Sequence, residues 1–119
     1  MDLAIAERTV GRVTVLDLAG KLTVDHGAER IKDKVNSLIA QGRTQIVLNL
    51  KDVPYIDSGG LGQLVASFGS VKKAAGSLKL LNVNSRNHDL LSITRLVTIF
   101  DSFDSEAEAV ESFPALARE

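Results

Sequence analysis

One short segment, residues 55–62, contains the side chains with the clearest chemical potential. Asp57 and Ser58 are followed by three glycines among residues 59–62, and an apolar pattern with helical spacing begins at Leu61. The first amides of a helix have no intrahelical partner and carry partial positive charge. A hydroxyl at this point can therefore cap the helix, and a phosphate there would be stabilised.

Two interpretations of Ser58 follow from these residues. In the first, Ser58 is a phosphorylation site, because Gly59 and Gly60 remove side chains around it and let a large partner, such as a kinase active site, approach the backbone. In the second, Asp57 or Ser58 only caps the helix, and the glycines permit a tight turn and close packing of helix on sheet. The residues alone favour the second interpretation.

The surroundings of Ser58 do not indicate catalysis. The nucleophile elbow of hydrolases has glycine two positions before the serine, and here that position is Ile56. His26 and His88 are the only histidines, and the chain has no cysteine. A metal site, a redox role and a disulfide therefore lack their usual residues. We expect no catalytic residue, no metal and no cofactor.

Charge and hydropathy narrow the choice of partner and compartment. The 14 Lys and Arg residues nearly balance the 15 Asp and Glu residues, giving a formal net charge of −1, so we expect no direct binding of nucleic acid. No apolar stretch approaches the roughly 20 residues of a membrane helix. The acidic, alternating N-terminus is unlike a secretory signal. The expectation is a cytoplasmic protein without membrane insertion.

The first half of the sequence predicts a hairpin, a helix and a buried strand. Apolar alternation before Gly11 and a β-branched run after it indicate the hairpin. Helical spacing then begins near Asp25, the expected cap, and stops at Gly42. Residues 46–50 are apolar at nearly every position, which is typical of a strand covered on both faces.

The second half predicts three more helices and the rest of the sheet. A helix after residue 58 is followed by a strand at 78–83 and by a third helix from about residue 85, after which residues 97–100 are expected to return to the sheet edge. Ser105 and Glu108 fit a capping box that opens a last helix. The fold class is therefore α/β, a mixed sheet of about four to five strands with about four helices packed on it. We expect one domain over residues 1–119, with an antiparallel opening hairpin and parallel crossovers after it.

The sequence resembles the STAS domain family (sulphate transporter and anti-sigma factor antagonist), and within it the bacterial anti-sigma factor antagonists. The resemblance covers nearly the whole chain and is carried by residues 20–22, 46–50 and, above all, 57–62. In that family the serine that follows the aspartate is phosphorylated by an ATP-dependent anti-sigma factor kinase. This resemblance maps the phosphorylated serine onto Ser58, beside Asp57, and makes the phosphorylation interpretation the favoured one.

The resemblance also implies how such a protein acts. It binds and sequesters the anti-sigma factor kinase while Ser58 is unphosphorylated, releases it when Ser58 is phosphorylated, and is reset by a serine phosphatase. The residues expected to contact the partner are Asp57, Gly59, Gly60, Leu61, Gly62, Thr23 and Asp25.

Two positions depart from the family pattern. Thr23 stands where an aspartate is usual, with Asp25 two positions later, and Arg95 stands where the family often has glycine. An alternative function is a STAS subunit of a transport or signalling complex, or a ligand sensor, that works without phosphorylation.

Overall fold

The chain opens with the predicted antiparallel hairpin. The computed structural model describes residues 3–114, and in it strands β1 (Ala4–Val10) and β2 (Val13–Ala19) pair along their whole length. Gly11 allows the tight turn between them, because its φ of 63° lies in the left-handed region that favours glycine.

Three further strands extend the sheet, and each is reached through a helix. The remaining elements, in chain order, are α1 (Ala28–Ala40), β3 (Gln45–Asp52), α2 (Ser58–Lys73), β4 (Ser77–Leu81), α3 (Ser85–Ile93), a 3₁₀ turn (Leu96–Thr98), β5 (Ser102–Phe103) and α4 (Glu106–Glu111). The strand order is β1-β2-β3-β4-β5, and every pair except β1–β2 is parallel. The α/β class and the mixed sheet are confirmed, whereas one domain over all of residues 1–119 stays a prediction.

The central strands are buried on both faces, which explains their nearly continuous apolar sequence. Successive residues of a strand point to opposite sides of the sheet. Leu16 and Leu48 lie in the larger core cluster, together with side chains of α1, α2 and α3. Val15 and Val47 lie in a smaller cluster with Phe113, which follows α4. The three longer helices therefore cover one face of the sheet, and the last helix covers the other.

The predicted return to the sheet at residues 97–100 is wrong. Arg95 takes a left-handed backbone and redirects the chain after α3 into the 3₁₀ turn, in which the Ile99 amide donates to the Leu96 carbonyl at 3.0 Å. Of the apolar side chains in that run only Phe100 is buried, at 3% exposure. The chain reaches the sheet edge later, at β5.

The predicted cap of α1 at Asp25 is also wrong. Gly27 is the N-cap, with a φ of 94°, and no side chain caps the helix. Asp25 is exposed in a short turn in which the Thr23 amide donates to the His26 carbonyl at 2.7 Å, and the Thr23 hydroxyl accepts from the His26 amide at 3.0 Å. This turn takes up the residues after Thr23, so the helix begins beyond Asp25.

Side chains cap the two later helices. Asn84 accepts a hydrogen bond from the Asn87 amide at 2.8 Å at the start of α3. Ser105 accepts one from the Glu108 amide at 3.3 Å at the start of α4, as the capping box predicts. Both helix starts agree with the sequence because short polar side chains satisfy amides that the helix leaves unpaired.

Ion pairs tie the edge strand β1 to helices on both faces of the sheet. Glu7 contacts Lys34 of α1 and Arg43, each at 2.6 Å. Arg8 bridges Asp17 of β2 and Glu106 of α4, the latter at 2.6 Å. Hydrogen bonds from Lys34 and Arg43 lower the pKa of Glu7. The Arg8 guanidinium lowers the pKa of Asp17 and of Glu106.

We expect these carboxylates to make the fold sensitive to acid. A carboxylate whose pKa is lowered by folding contributes stability above its unfolded pKa, ordinarily 3.8 for Asp17 and 4.5 for Glu106, and loses it as the pH falls through the folded value. Arg8→Gln should lower the free energy of unfolding at neutral pH. It should also make that free energy fall less steeply below about pH 5, since two lowered pKa values return toward normal.

Urea unfolding at several pH values measures this effect. Arg30→Gln is the matched control, because Arg30 is exposed on α1 and the same charge is removed. Equal acid slopes for wild type and Arg8→Gln would contradict the role of Arg8.

The left-handed backbone of Arg95 allows a second prediction. Its φ of 63° and ψ of 13° cost a residue with a β-carbon roughly 1–2 kcal/mol, whereas glycine adds roughly 0.5–1 kcal/mol of entropy cost. Arg95→Gly should therefore raise the free energy of unfolding by about 0.5–1 kcal/mol in urea titrations. Arg95→Ala keeps the β-carbon and should give no such gain. An equal gain in both variants would mean that the backbone is not the cause.

Candidate functional site

The loop that follows β3 is held against the loop that follows β2. Leu22 and Ile56 form a parallel bridge, in which the Leu22 amide donates to the Tyr55 carbonyl at 3.0 Å and the Asp57 amide donates to the Leu22 carbonyl at 3.2 Å. Leu22 and Ile56 are both buried. These contacts fix the position at which α2 begins, since Asp57 is its N-cap.

Asp57 makes the hydrogen bonds that define this site. Its Oδ1 accepts from the Gly60 amide at 2.7 Å, which caps α2. The same carboxylate accepts from the Val24 amide at 3.2 and 3.3 Å, which ties the loop after β2 to the helix start. The capping interpretation therefore holds for Asp57. Ser58 is left as the exposed first residue of α2.

Gly59 and Gly60 face the loop that follows β2. A β-carbon at residue 59 would lie 2.4 Å from Cβ of Val24, and one at residue 60 would lie 2.2 Å from the Leu22 carbonyl oxygen. Close packing of α2 against the neighbouring loop thus explains both glycines, whereas the second sequence interpretation expected close packing against the sheet. Gly62 differs, because a β-carbon there would meet nothing within 4 Å.

The predicted contact residues divide into exposed and buried ones. Gly62 and Asp25 are exposed, as Ser58 is. Leu61, Gly60 and Thr23 are buried. Asp57 and Gly59 are partly exposed. A role for all seven residues in partner contact stays a prediction, and the buried ones can act only through the shape that they give to the surface.

A groove runs between the start of α2 and helix α3. Its volume is about 620 Å³, and it is lined by Tyr55, Ile56, Asp57, Ser58, Arg86, Asn87, Asp89, Leu90 and Ile93. Asn87 is buried and its amide group donates to the Val53 carbonyl at 3.0 Å, which anchors α3 beside the loop after β3. Ser58 thus lies in the wall of a surface groove.

Three residues near Ser58 were missed by the sequence analysis. Cζ of Arg86 lies 4.7 Å from the centroid of the Tyr55 ring. Val24 and Ile93 are exposed by 67% and 80%, although both are large and apolar. Val24 packs against Gly59, and Ile93 lines the groove. The sequence offered little signal for these residues. Ile93 is apolar and lies in the predicted third helix, but its type alone does not reveal that it faces solvent.

Within residues 3–114, no cluster of three or more His, Cys, Asp or Glu side chains is arranged to hold a metal ion. In the same part of the chain, no helix has the length and apolar character needed to span a membrane.

Comparison with known proteins identifies the family to which this fold belongs. A family model of the STAS domain matches residues 4–109. The chain belongs to the STAS domain family. The anti-sigma-B factor antagonist of Bacillus subtilis is 42% identical to this STAS domain over 86 residues, which are 72% of this chain and 77% of the relative.

Solved structures share the architecture of this STAS domain. A candidate anti-sigma factor antagonist from Thermotoga maritima matches with a TM-score of 0.85 at 29% identity, over 92% of this chain and 93% of the other. The anti-sigma factor antagonist SpoIIAA, from Bacillus, has been solved in a phosphorylated form. That form matches with a TM-score of 0.70 at 25% identity, over 91% of this chain and 97% of the other.

The glycines of α2 provide a matched test of the site geometry. Gly60→Ala should lower the free energy of unfolding by about 1–3 kcal/mol, because the β-carbon collides with the backbone of Leu22. Gly62→Ala should raise it by up to about 1 kcal/mol, because alanine favours the helix and meets open space. Urea unfolding measures both. Effects of the same sign at the two positions would contradict the inward packing of Gly60.

Proposed function

We propose that this STAS domain is an anti-sigma factor antagonist whose binding to an anti-sigma factor kinase is switched off by phosphorylation of Ser58. The observation that carries the proposal is the placement of Ser58: it is exposed, it is the first residue of α2, and it directly follows the Asp57 cap. The names of the relatives and the phosphorylated form of SpoIIAA support it.

In this proposal the chain is a substrate and a binding partner, and the kinase performs the chemistry. The Ser58 hydroxyl oxygen attacks the γ-phosphorus of ATP held by the kinase, ADP leaves, and the hydroxyl proton passes to a base on the kinase. A serine phosphatase later hydrolyses the phosphate ester. The fixed helix start supports this role, because it holds the hydroxyl in one place for the kinase.

The unphosphorylated site suits a protein partner. The exposed side chains of Val24 and Ile93 provide apolar contact area near Ser58. Ser58 itself is uncharged and small, so burying it in an interface requires only that its hydroxyl find a hydrogen-bond partner. We place this exchange of partners in the cytoplasm, where ATP and sigma factors are present.

Phosphorylation would then weaken the complex by local charge. It adds about −1.5 to −2 charge units at neutral pH, beside the carboxylate of Asp57. Desolvating this charge within an interface is unfavourable, and a loss of about 3 kcal/mol corresponds to roughly a hundredfold in affinity. The fold itself need not change.

The test combines phosphate mapping with binding. After incubation with ATP, magnesium and an anti-sigma factor kinase encoded near the same gene, intact mass should show one added phosphate, mapped to Ser58 and absent from Ser58→Ala. In titrations with that kinase, Ser58→Asp should bind about a hundredfold more weakly than wild type, if the charge acts as described. Ser58→Ala should bind as wild type does.

Ser37→Asp is the charge control, because Ser37 is exposed on α1, away from the groove. It should bind as wild type does. Equal affinity of Ser58→Asp and wild type would overturn the switch. The absence of phosphate with an active kinase would instead favour a STAS subunit that works without phosphorylation.

A further inference from the structure

Arg86 is the cation that lines the Ser58 groove. It lies in the first turn of α3, is exposed, and stacks on the Tyr55 ring at 4.7 Å. Among residues 3–114, no carboxylate forms an ion pair with it. An exposed cation–π contact is a weak interaction, so the guanidinium is available to a stronger one.

The groove contains both this cation and the serine on which a phosphate would form. Ser58 and Arg86 line the same groove, from α2 and from α3. Two acidic residues, Asp57 and Asp89, line it as well. The Asp57 carboxylate already accepts hydrogen bonds from the Gly60 and Val24 amides. Among the described residues that line the groove, Arg86 is the one cationic side chain that could meet a phosphate on Ser58.

We propose that phosphorylated Ser58 is captured within the same chain by Arg86, which leaves the Tyr55 ring and pairs with the phosphate across the groove. This inference rests on the proposed function in one respect, the choice of Ser58 as the phosphorylated residue. Arginine presents a planar fork of donors that can bind two phosphate oxygens at once. Such a charge-assisted pair is stronger than the stacking contact that it replaces.

The capture would change the contact surface as well as its charge. The phosphate and Arg86 would join the start of α2 to the start of α3 and cover part of the groove between them. The Tyr55 ring would lose the guanidinium that now lies over it. A partner whose surface fits the open groove would then contact a groove that is bridged by the phosphate and Arg86. The phosphorylated state would therefore differ from the unmodified state in shape.

The test uses phosphoserine placed at position 58 during translation, so that no kinase is needed. Phosphorus-31 NMR between about pH 4 and pH 8 gives the second pKa of the phosphate, which is ordinarily about 6. Asp57 and Asp89 act on this pKa in every variant, so the comparison between variants isolates Arg86. In Arg86→Gln the pKa should be higher than in the wild-type background by about one unit, because a nearby cation favours the dianion.

Two further variants separate capture from a general effect of charge. Arg86→Lys keeps the charge but loses the fork, and should give an intermediate pKa. Arg12→Gln removes the same charge at the β1–β2 turn, at the other end of β2 from the Ser58 loop, and should leave the wild-type value. The same phosphate pKa in the wild-type background and in Arg86→Gln would overturn the proposal.

The capture and the proposed function can fail separately. If a kinase phosphorylates Ser58 but the phosphate pKa does not depend on Arg86, the switch is supported and the capture is contradicted. If the phosphate pKa depends on Arg86 but no anti-sigma factor kinase phosphorylates Ser58, the capture is supported and the switch is contradicted.

Discussion

The carboxylate of Asp57 holds together the two loops on which the site depends. It accepts the Gly60 amide at the start of α2 and the Val24 amide from the loop after β2. Without this acceptor, amides at the helix start would lose their partner, and the two loops would be joined mainly by the single bridge between Leu22 and Ile56. The position of Ser58 depends on this side chain together with the bridge, because Ser58 is the next residue along the chain.

The contact between the loop after β2 and the start of α2 also explains why Gly59 and Gly60 are glycines. The two loops approach so closely that residues 59 and 60 have no room for a β-carbon. A hydrogen-bonded carboxylate and close backbone packing thus reinforce each other. The start of α2 is held by these contacts, whereas Arg86 is a long, exposed side chain on the neighbouring helix.

Much of the fold could be predicted from the sequence because its signals are local. Period-two and period-3.6 spacing identified the hairpin, the buried strand at residues 46–50 and the helices, and Ser105 marked the start of the last helix. The errors lay where backbone geometry overrides spacing. The turn between Thr23 and His26 moved the start of α1, and the left-handed Arg95 turned an apolar run into a 3₁₀ turn.

The site was predicted only in part, for a similar reason. The motif located Asp57 and Ser58, since the acceptor and the hydroxyl lie within a few residues of each other. Arg86, which lines the same groove, comes from α3, later in the chain. The packing of α3 through Asn87 brings it to the groove that Ser58 also lines. The direction that Gly59 and Gly60 face likewise depends on a loop more than 30 residues away.

The two edges of the sheet bear on how this protein can associate. β1 carries Glu7 and Arg8, each committed to ion pairs, and β5 on the other edge has only two residues. Charged side chains and short strands are features that discourage a foreign strand from adding to a sheet. Backbone pairing with other chains is thereby disfavoured at both ends of the sheet. If the chain binds a partner as proposed, contact through side chains on the helical surface is favoured over the addition of a strand.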